Sequence, residues 1–273
     1  MLRLVLLVCL FCVSAHALFI SGNKWNNLRV TWGLNIPKHF NAMPRTVSDA
    51  VKQNFKKISS CDKNAKWRGN RYVKDNDYAV VLLYDVNGYI AGIQTSIPNN
   101  QANGYPSSKI QPPFLPDGNR YTATAYFVDP SIICTRGRTA AQYAAQGTGT
   151  NLYIQETANP EASTQVPRNE ADLANTKWTK GKCFFSMGMH YWYDVKENMD
   201  CGGLFPVFLL YNGGKLNAFG WAMQTGLSSS QYEHPDITVI DKFMQTVPTC
   251  LKSVKALSTM HIYLTDKYYL NFC

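Results

Sequence analysis

Histidine is scarce in this chain, with 5 in 273 residues, at His16, His39, His190, His234 and His261. Two of them share a local setting. Met189-His190-Tyr191-Trp192 and Met260-His261-Ile262-Tyr263 both read Met-His-x-aromatic. On a strand, a histidine and the aromatic two residues on face the same side. If the two strands are neighbours, His190 and His261 face each other, with Asp194 or Asp200 near a strand end. Such a pair suits two chemistries: binding a transition-metal ion through ring nitrogens, or dividing acid and base duties at a hydrolytic site. The competing reading is two half-buried histidines hydrogen-bonded within a sheet, because nothing in the spacing forces them together.

Motif-defined chemistries find no support. There is no His-Glu-x-x-His, no Gly-x-Ser-x-Gly elbow, no Walker loop and no His-x-Lys. Gly147-Thr148-Gly149 lacks the rest of a dinucleotide fingerprint. Ser186 is four residues from His190, roughly 13 Å along one strand, too far for direct contact. A serine triad assembled from distant positions stays open. A second metal arrangement depends on processing. If a leader ends at Ala15, His16 becomes the N-terminus, and its amino group and ring would hold copper together with a histidine such as His190.

A different set of residues suits binding. Tyr191, Trp192, Tyr193 and Trp221, with Asn217 and Gln224, offer flat rings and amides that would line a groove for sugars or other planar ligands. Core packing competes for the same aromatics. Charge is concentrated rather than spread. Residues 18–146 hold 16 Lys+Arg against 7 Asp+Glu, whereas 147–273 hold 10 against 11. Most of the excess lies between Lys24 and Lys74 and includes Lys52, Lys56 and Lys57. A basic face of this kind attracts sulfated glycans or anionic cell surfaces, or simply keeps a protein soluble. No RNA- or DNA-binding motif accompanies it, so nucleic acid is not favoured.

The elements that must position these residues read as follows. Leu28–Leu34 is a strand with Val30 and Trp32 on one side. Pro44-Arg45-Thr46-Val47-Ser48 opens a helix in which Val47, Val51, Phe55 and Ile58 recur at helical spacing, ending near Cys61. Tyr78–Gln94 is a hairpin turned by Asn87-Gly88, and Phe205–Trp221 is another turned by Asn212-Gly213-Gly214. Both contain Leu-Leu-Tyr, then Asp or Asn, a glycine turn and an apolar return strand, a likeness that either an ancient duplication or, the favoured reading, shared turn chemistry alone explains. Residues 98–118 form a proline-rich loop. Tyr121–Val128, Thr150–Gln155, Phe184–Asp194 and Ser258–Thr265 read as strands, Thr139–Gln146 as a short helix, and the stretch from Pro235 to Val247 as another. The fold class is α+β: a mainly antiparallel sheet with two or three short helices.

The N-terminus reads as a secretory leader over residues 1–17, a basic start, an apolar run at 4–13 and small residues before Leu18. No later run is long and apolar enough to span a bilayer. Six cysteines remain beyond it: Cys61, Cys134, Cys183, Cys201, Cys250 and Cys273. In a secreted chain these make up to three disulfides, with 15 pairings open. The mature chain is read as one domain over 18–273, with 98–118 as the place where two subdomains would divide. The expected function is an extracellular binding protein with a basic N-terminal face and an aromatic-polar groove, compatible with a toxin or defence role. The alternative is a secreted hydrolase or copper-dependent oxidase using His190 and His261. No cofactor is required by the sequence, and copper or zinc is the candidate if one is used.

Overall fold

A computed structural model describes residues 24–107 and 113–273. The expected leader, both cleavage points and His16 lie outside the described residues. The chain begins with two short strands, β1 (Arg29–Val30) and β2 (Asn41–Ala42). Strands β3 (Phe55–Ser59), β4 (Asn70–Lys74), β5 (Asp77–Tyr84), β6 (Ile90–Pro98), β7 (Leu115–Asp117), β8 (Arg120–Tyr126), β9 (Leu152–Gln155) and β10 (Thr164–Val166) form a first sheet. Strands β11 (Trp178–Phe184), β12 (Gly188–Tyr193), β13 (Val207–Asn212), β14 (Lys215–Met223) and β15 (Ser258–Tyr263) form a second, completed by β1 and β2. The strand orders are β3-β4-β5-β6-β8-β9-β10, with β7 beside β8, and β11-β12-β13-β14-β15-β1-β2. Every pairing is antiparallel.

One apolar cluster takes residues from both sheets. Leu82, Ile93, Ala125 and Phe127 from the first meet Leu209, Phe219, Trp221 and Ile262 from the second. The Phe127 and Phe219 rings touch across the gap at 6.3 Å. The helical part is small: α1 (Val47–Lys52), α2 (Pro130–Ile133), α3 (Ala140–Gln146) and short 3-10 turns. The molecule is therefore dominated by its sheets.

Three local expectations are corrected. The helix opened by Pro44 stops at Lys52, because Asn54 takes a left-handed backbone (φ 66°) and Phe55–Ser59 then pairs with β4. The helical spacing of Phe55 and Ile58 thus belongs to an edge strand. Val30 and Trp32 do not share a face, since Thr31 at φ 72° breaks the pleat between them. Val30 enters the inter-sheet cluster, while Trp32 packs on the outside of the second sheet. The stretch 98–118 connects β6 to β8, two strands that pair directly, so it joins neighbours within one sheet.

The six cysteines form three disulfides, Cys61–Cys134, Cys183–Cys273 and Cys201–Cys250. The first ties the end of β3 to α2, the second ties the C-terminus to β11, and the third joins two 3-10 turns. Among the described residues no helix is long and apolar enough to cross a membrane.

The likeness between the two hairpins extends well beyond turn chemistry. Each Leu-Leu-Tyr strand occupies the third place in its sheet. The Tyr84 hydroxyl donates to the Pro44 carbonyl (2.8 Å) and the Tyr211 hydroxyl to that of Pro167 (2.6 Å). Each proline precedes an arginine whose carbonyl accepts from the return strand, Arg45 from Ile90 and Arg168 from Leu216, both at 2.9 Å. Two residues on, the Val47 and Glu170 N–H groups donate to Gly88 and Gly214 at the turn tips, again both at 2.9 Å. A short helix follows in each case, then an edge strand, β3 or β11. The two sheets share this local plan around their central hairpins. Tyr84→Phe and Tyr211→Phe each strand a proline carbonyl and are expected to cost about 1 kcal/mol. Matched urea denaturation curves check this. A cost confined to one of the two tyrosines would contradict the equivalence.

Candidate functional site

The outer face of the second sheet carries a cavity of about 640 Å³. Trp32, Met187, Trp192, Phe208, Ile240 and Phe243 give it apolar walls. Every histidine among the described residues lines it: His39, His190, His234 and His261.

The way His190 and His261 meet differs from the neighbouring-strand arrangement expected. They stand on β12 and β15, with β13 and β14 between them. Three strand spacings amount to roughly 14 Å, so their backbones are well apart. The rings nevertheless lie with centroids 6.4 Å apart and planes at 87°. Gly220 on β14 makes this approach feasible. A Cβ there would sit 2.1 Å from Cζ of Phe208 and 2.5 Å from the Met260 carbonyl oxygen. Without one, the Phe208 ring lies down over the strand and both histidines lean onto it, at 5.8 and 4.9 Å.

The hydrogen bonds fix both tautomers. His190 Nδ1 lies 3.0 Å from the Lys182 carbonyl, which can only accept, so Nδ1 carries the proton and Nε2 the lone pair. His261 Nδ1 donates to Glu233 Oε2 at 2.7 Å, which orients Nε2 of this ring as the free nitrogen. That Nε2 is buried and has no hydrogen-bond partner among the described residues. Burial, helped by the neighbouring His261, pushes the His190 pKa down to about 3, so this ring is neutral at physiological pH. It can accept a hydrogen bond, but it cannot serve as an acid. This disfavours a site in which the two rings share acid and base duties.

Glu233 is the carboxylate that the sequence reading passed over. Trp32 N–H (2.5 Å) and His261 N–H (3.1 Å) donate to its Oε1, and the Thr259 hydroxyl (2.7 Å) joins His261 Nδ1 on Oε2. Burial works to raise its pKa, but the interaction with the His261 ring and these hydrogen bonds outweigh burial and hold it below the ordinary carboxylate value. Its available signal in the sequence was its place beside His234.

The other candidate residues fall elsewhere. Asp194 ends β12 with an exposed side chain paired to Lys196 (3.1 Å) and Lys177 (4.0 Å). Asp200 caps the 3-10 turn at Cys201–Gly203. Trp192 lines the cavity and donates from Nε1 to the Phe243 carbonyl at 3.1 Å. Tyr191, Tyr193 and Trp221 point to the opposite face and pack between the sheets, so the proposed aromatic groove does not assemble. The cause is strand alternation: Tyr191 and Tyr193 flank Trp192 and must face away from it. Asn217 is buried in the β13–β14 hairpin, accepting from Asn212 N–H at 3.1 Å. Gln224 donates to the Cys201 carbonyl at 2.7 Å. Lys56 and Lys57 are exposed on β3, an edge strand of the first sheet. Lysines there block pairing with another chain, which accounts for them without a ligand.

His190 and His261 would offer two nitrogens to zinc or copper. Among the described residues no group of three or more His, Cys, Asp or Glu side chains is arranged to hold a metal ion. Among the described residues no serine or cysteine side chain is hydrogen-bonded to either ring.

The first sheet shows what this place looks like without a cavity. His190 pairs with Leu210, the residue before Tyr211, and Arg71 pairs with Leu83, the residue before Tyr84. Arg71 therefore holds the equivalent position. Its Nε donates to Gln94 (2.8 Å), its Nη2 to Asp117 (2.5 Å), and Gln94 donates on to Thr124 (2.9 Å). Trp67 covers the guanidinium at 4.4 Å. There the polar groups satisfy one another, whereas His261, in the cavity lining, keeps a buried nitrogen without a partner among the described residues. The chain matches no family model, no curated protein and no solved structure.

Proposed function

We propose that the protein binds a small, mainly apolar molecule bearing a hydrogen-bond donor in the cavity on the outer face of the second sheet. The carrying observation is His261 Nε2, buried, unpartnered and held in place by Glu233. An unsatisfied buried nitrogen costs stability unless a partner arrives. The neutral His190 ring supplies a second acceptor. A largely apolar pocket with a few converging polar groups is the usual form of a small-molecule site. The protein works outside the cell in this proposal, which its three disulfides and the leader pattern of residues 1–17 support.

A second reading uses the same dyad. With Nδ1–H directed at Glu233, His261 Nε2 has the arrangement of a general base that would activate water against an ester or amide. The lack of any serine or cysteine bonded to the rings favours binding over nucleophilic hydrolysis.

1-Aminoanthracene, an apolar amine whose fluorescence rises in dry surroundings, is a suitable probe. The native protein is expected to bind it at micromolar concentrations. His261→Phe, which keeps the ring and removes the acceptor, is expected to weaken binding about tenfold, the loss of one buried hydrogen bond. A correctly folded His261→Phe protein that binds as tightly as the native one would sink the assignment. Turnover of aryl esters by the native protein, abolished in His261→Phe, would promote the hydrolytic reading.

A further inference from the structure

Nine large apolar side chains among the described residues are exposed, and six of them lie on three segments: Leu34 and Ile36, then Phe185 in the β11–β12 turn, then Tyr269, Leu270 and Phe272 near the C-terminus. Leu34 is itself part of the cavity lining and is 84% exposed. The three segments are physically joined, and the first and second adjoin the cavity-lining residues Trp32 and Met187. Trp32, two residues from Leu34, donates from Nε1 to the Ser186 hydroxyl at 2.8 Å and meets the Phe184 ring at 5.9 Å. Ser186 N–H donates to the Asn271 carbonyl at 2.9 Å, which docks the C-terminal segment against the β11–β12 turn. The Phe185 and Phe272 rings then stand together at 5.2 Å, 57% and 58% exposed. The Cys183–Cys273 disulfide ties this segment in place.

The charge around this rim has one sign in excess. Lys38, Lys182, Lys242 and Lys267 are exposed and enter none of the ion pairs among the described residues. Of the nearby carboxylates, Asp236 caps the 3-10 turn at Ile237–Lys242 through Thr238, Asp241 adjoins Lys242, and Asp266 is engaged by the Asn26 and Asn27 amides. Exposed aromatic and aliphatic side chains ringed by lysines fit a surface that is apolar beneath and anionic on top. A sulfated glycan would use the lysines and leave the aliphatic Leu34, Ile36 and Leu270 side chains in water.

We propose that the cavity mouth docks on anionic lipid bilayers, with Phe185, Phe272 and Ile36 entering the interface and the lysines meeting the headgroups. An apolar ligand would then pass between bilayer and cavity without crossing water. That transfer rests on the binding function proposed above; the docking does not.

Flotation with phosphatidylcholine vesicles, and with vesicles containing phosphatidylserine as well, tests the docking on the full mature chain. The native protein is expected to float with the anionic vesicles at least tenfold more than with the neutral ones. The double variant Phe185→Asp/Phe272→Asp changes two exposed rings outside the cavity lining. It is expected to lose at least tenfold in flotation while binding 1-aminoanthracene as the native protein does. Lys182→Glu/Lys267→Glu is expected to erase the preference for phosphatidylserine. Native protein that stays at the bottom of the gradient with anionic vesicles overturns the proposal, as does a double variant that floats normally. Flotation without probe binding leaves docking supported and counts against the cavity reading alone.

Discussion

Glu233→Ala is expected to lower stability by about 3–5 kcal/mol, the cost of leaving several buried donors without their acceptor. Four donors converge on this carboxylate: two backbone N–H groups, the Thr259 hydroxyl and His261 Nδ1–H. Alanine leaves all of them buried without an acceptor. Glu233→Gln keeps the shape and part of the bonding and is expected to cost about 2 kcal/mol. Asp194→Ala, on an exposed carboxylate of the same sheet, should stay within about 0.5 kcal/mol of the native protein. Urea unfolding at neutral pH with the disulfides intact measures all three. A Glu233→Ala protein as stable as Asp194→Ala would contradict the network described.

The second large effect is acid sensitivity arising from His190. Its folded pKa lies near 3, against an ordinary value of 6.5, so the folded state resists the proton that the unfolded chain accepts. Its contribution is therefore fully present above about pH 6.5 and is lost as pH falls toward 3. The slope approaches 1.4 kcal/mol per pH unit, or about 2–3 kcal/mol between pH 6.5 and 4.5. Glu233 adds a loss of the same sign at lower pH, because its carboxyl is held below the ordinary value of 4.5. His190→Phe, which keeps an aromatic ring among Trp192, Phe208 and Phe243, should flatten the upper part of this profile. Urea midpoints taken at half-unit pH steps give the comparison. Parallel profiles for the two proteins would show that His190 is not the buried neutral group.

Much of the sheet structure could be read from period-two alternation and glycine turns. The hairpins at Asn87-Gly88 and Asn212-Gly213-Gly214 stand where turn chemistry places them, and Gly147 ends α3 as expected. The failures have local causes. Left-handed backbone at Thr31 and Asn54 reset the pleat and cut a helix short; a β-branched threonine gives no sign of it, whereas asparagine is enriched in that conformation and marked a helix end that the apolar spacing overrode. Of the site, the histidines were legible as residue types in matching contexts. Their approach was not, since it depends on Gly220 letting Phe208 lie flat between two strands that are not neighbours. Glu233 was hidden for a related reason: it acts from a connecting segment and reaches the sheet through one isolated bridge. Likewise the equivalence of His190 with Arg71 emerges only once the two sheets are aligned on their Leu-Leu-Tyr strands.

The binding proposal turns on two ring nitrogens, and nitrogen NMR reads them directly. In protein with 15N-labelled histidines, long-range proton–nitrogen spectra at neutral pH should show His190 as the neutral ring protonated on Nδ1. Saturation with 1-aminoanthracene should then shift His261 Nε2 as it gains a hydrogen bond, with a smaller change at His190 and none in His261→Phe beyond the lost signal. Binding that leaves the His261 and His190 nitrogens unmoved would place the ligand elsewhere and contradict the assignment of this cavity.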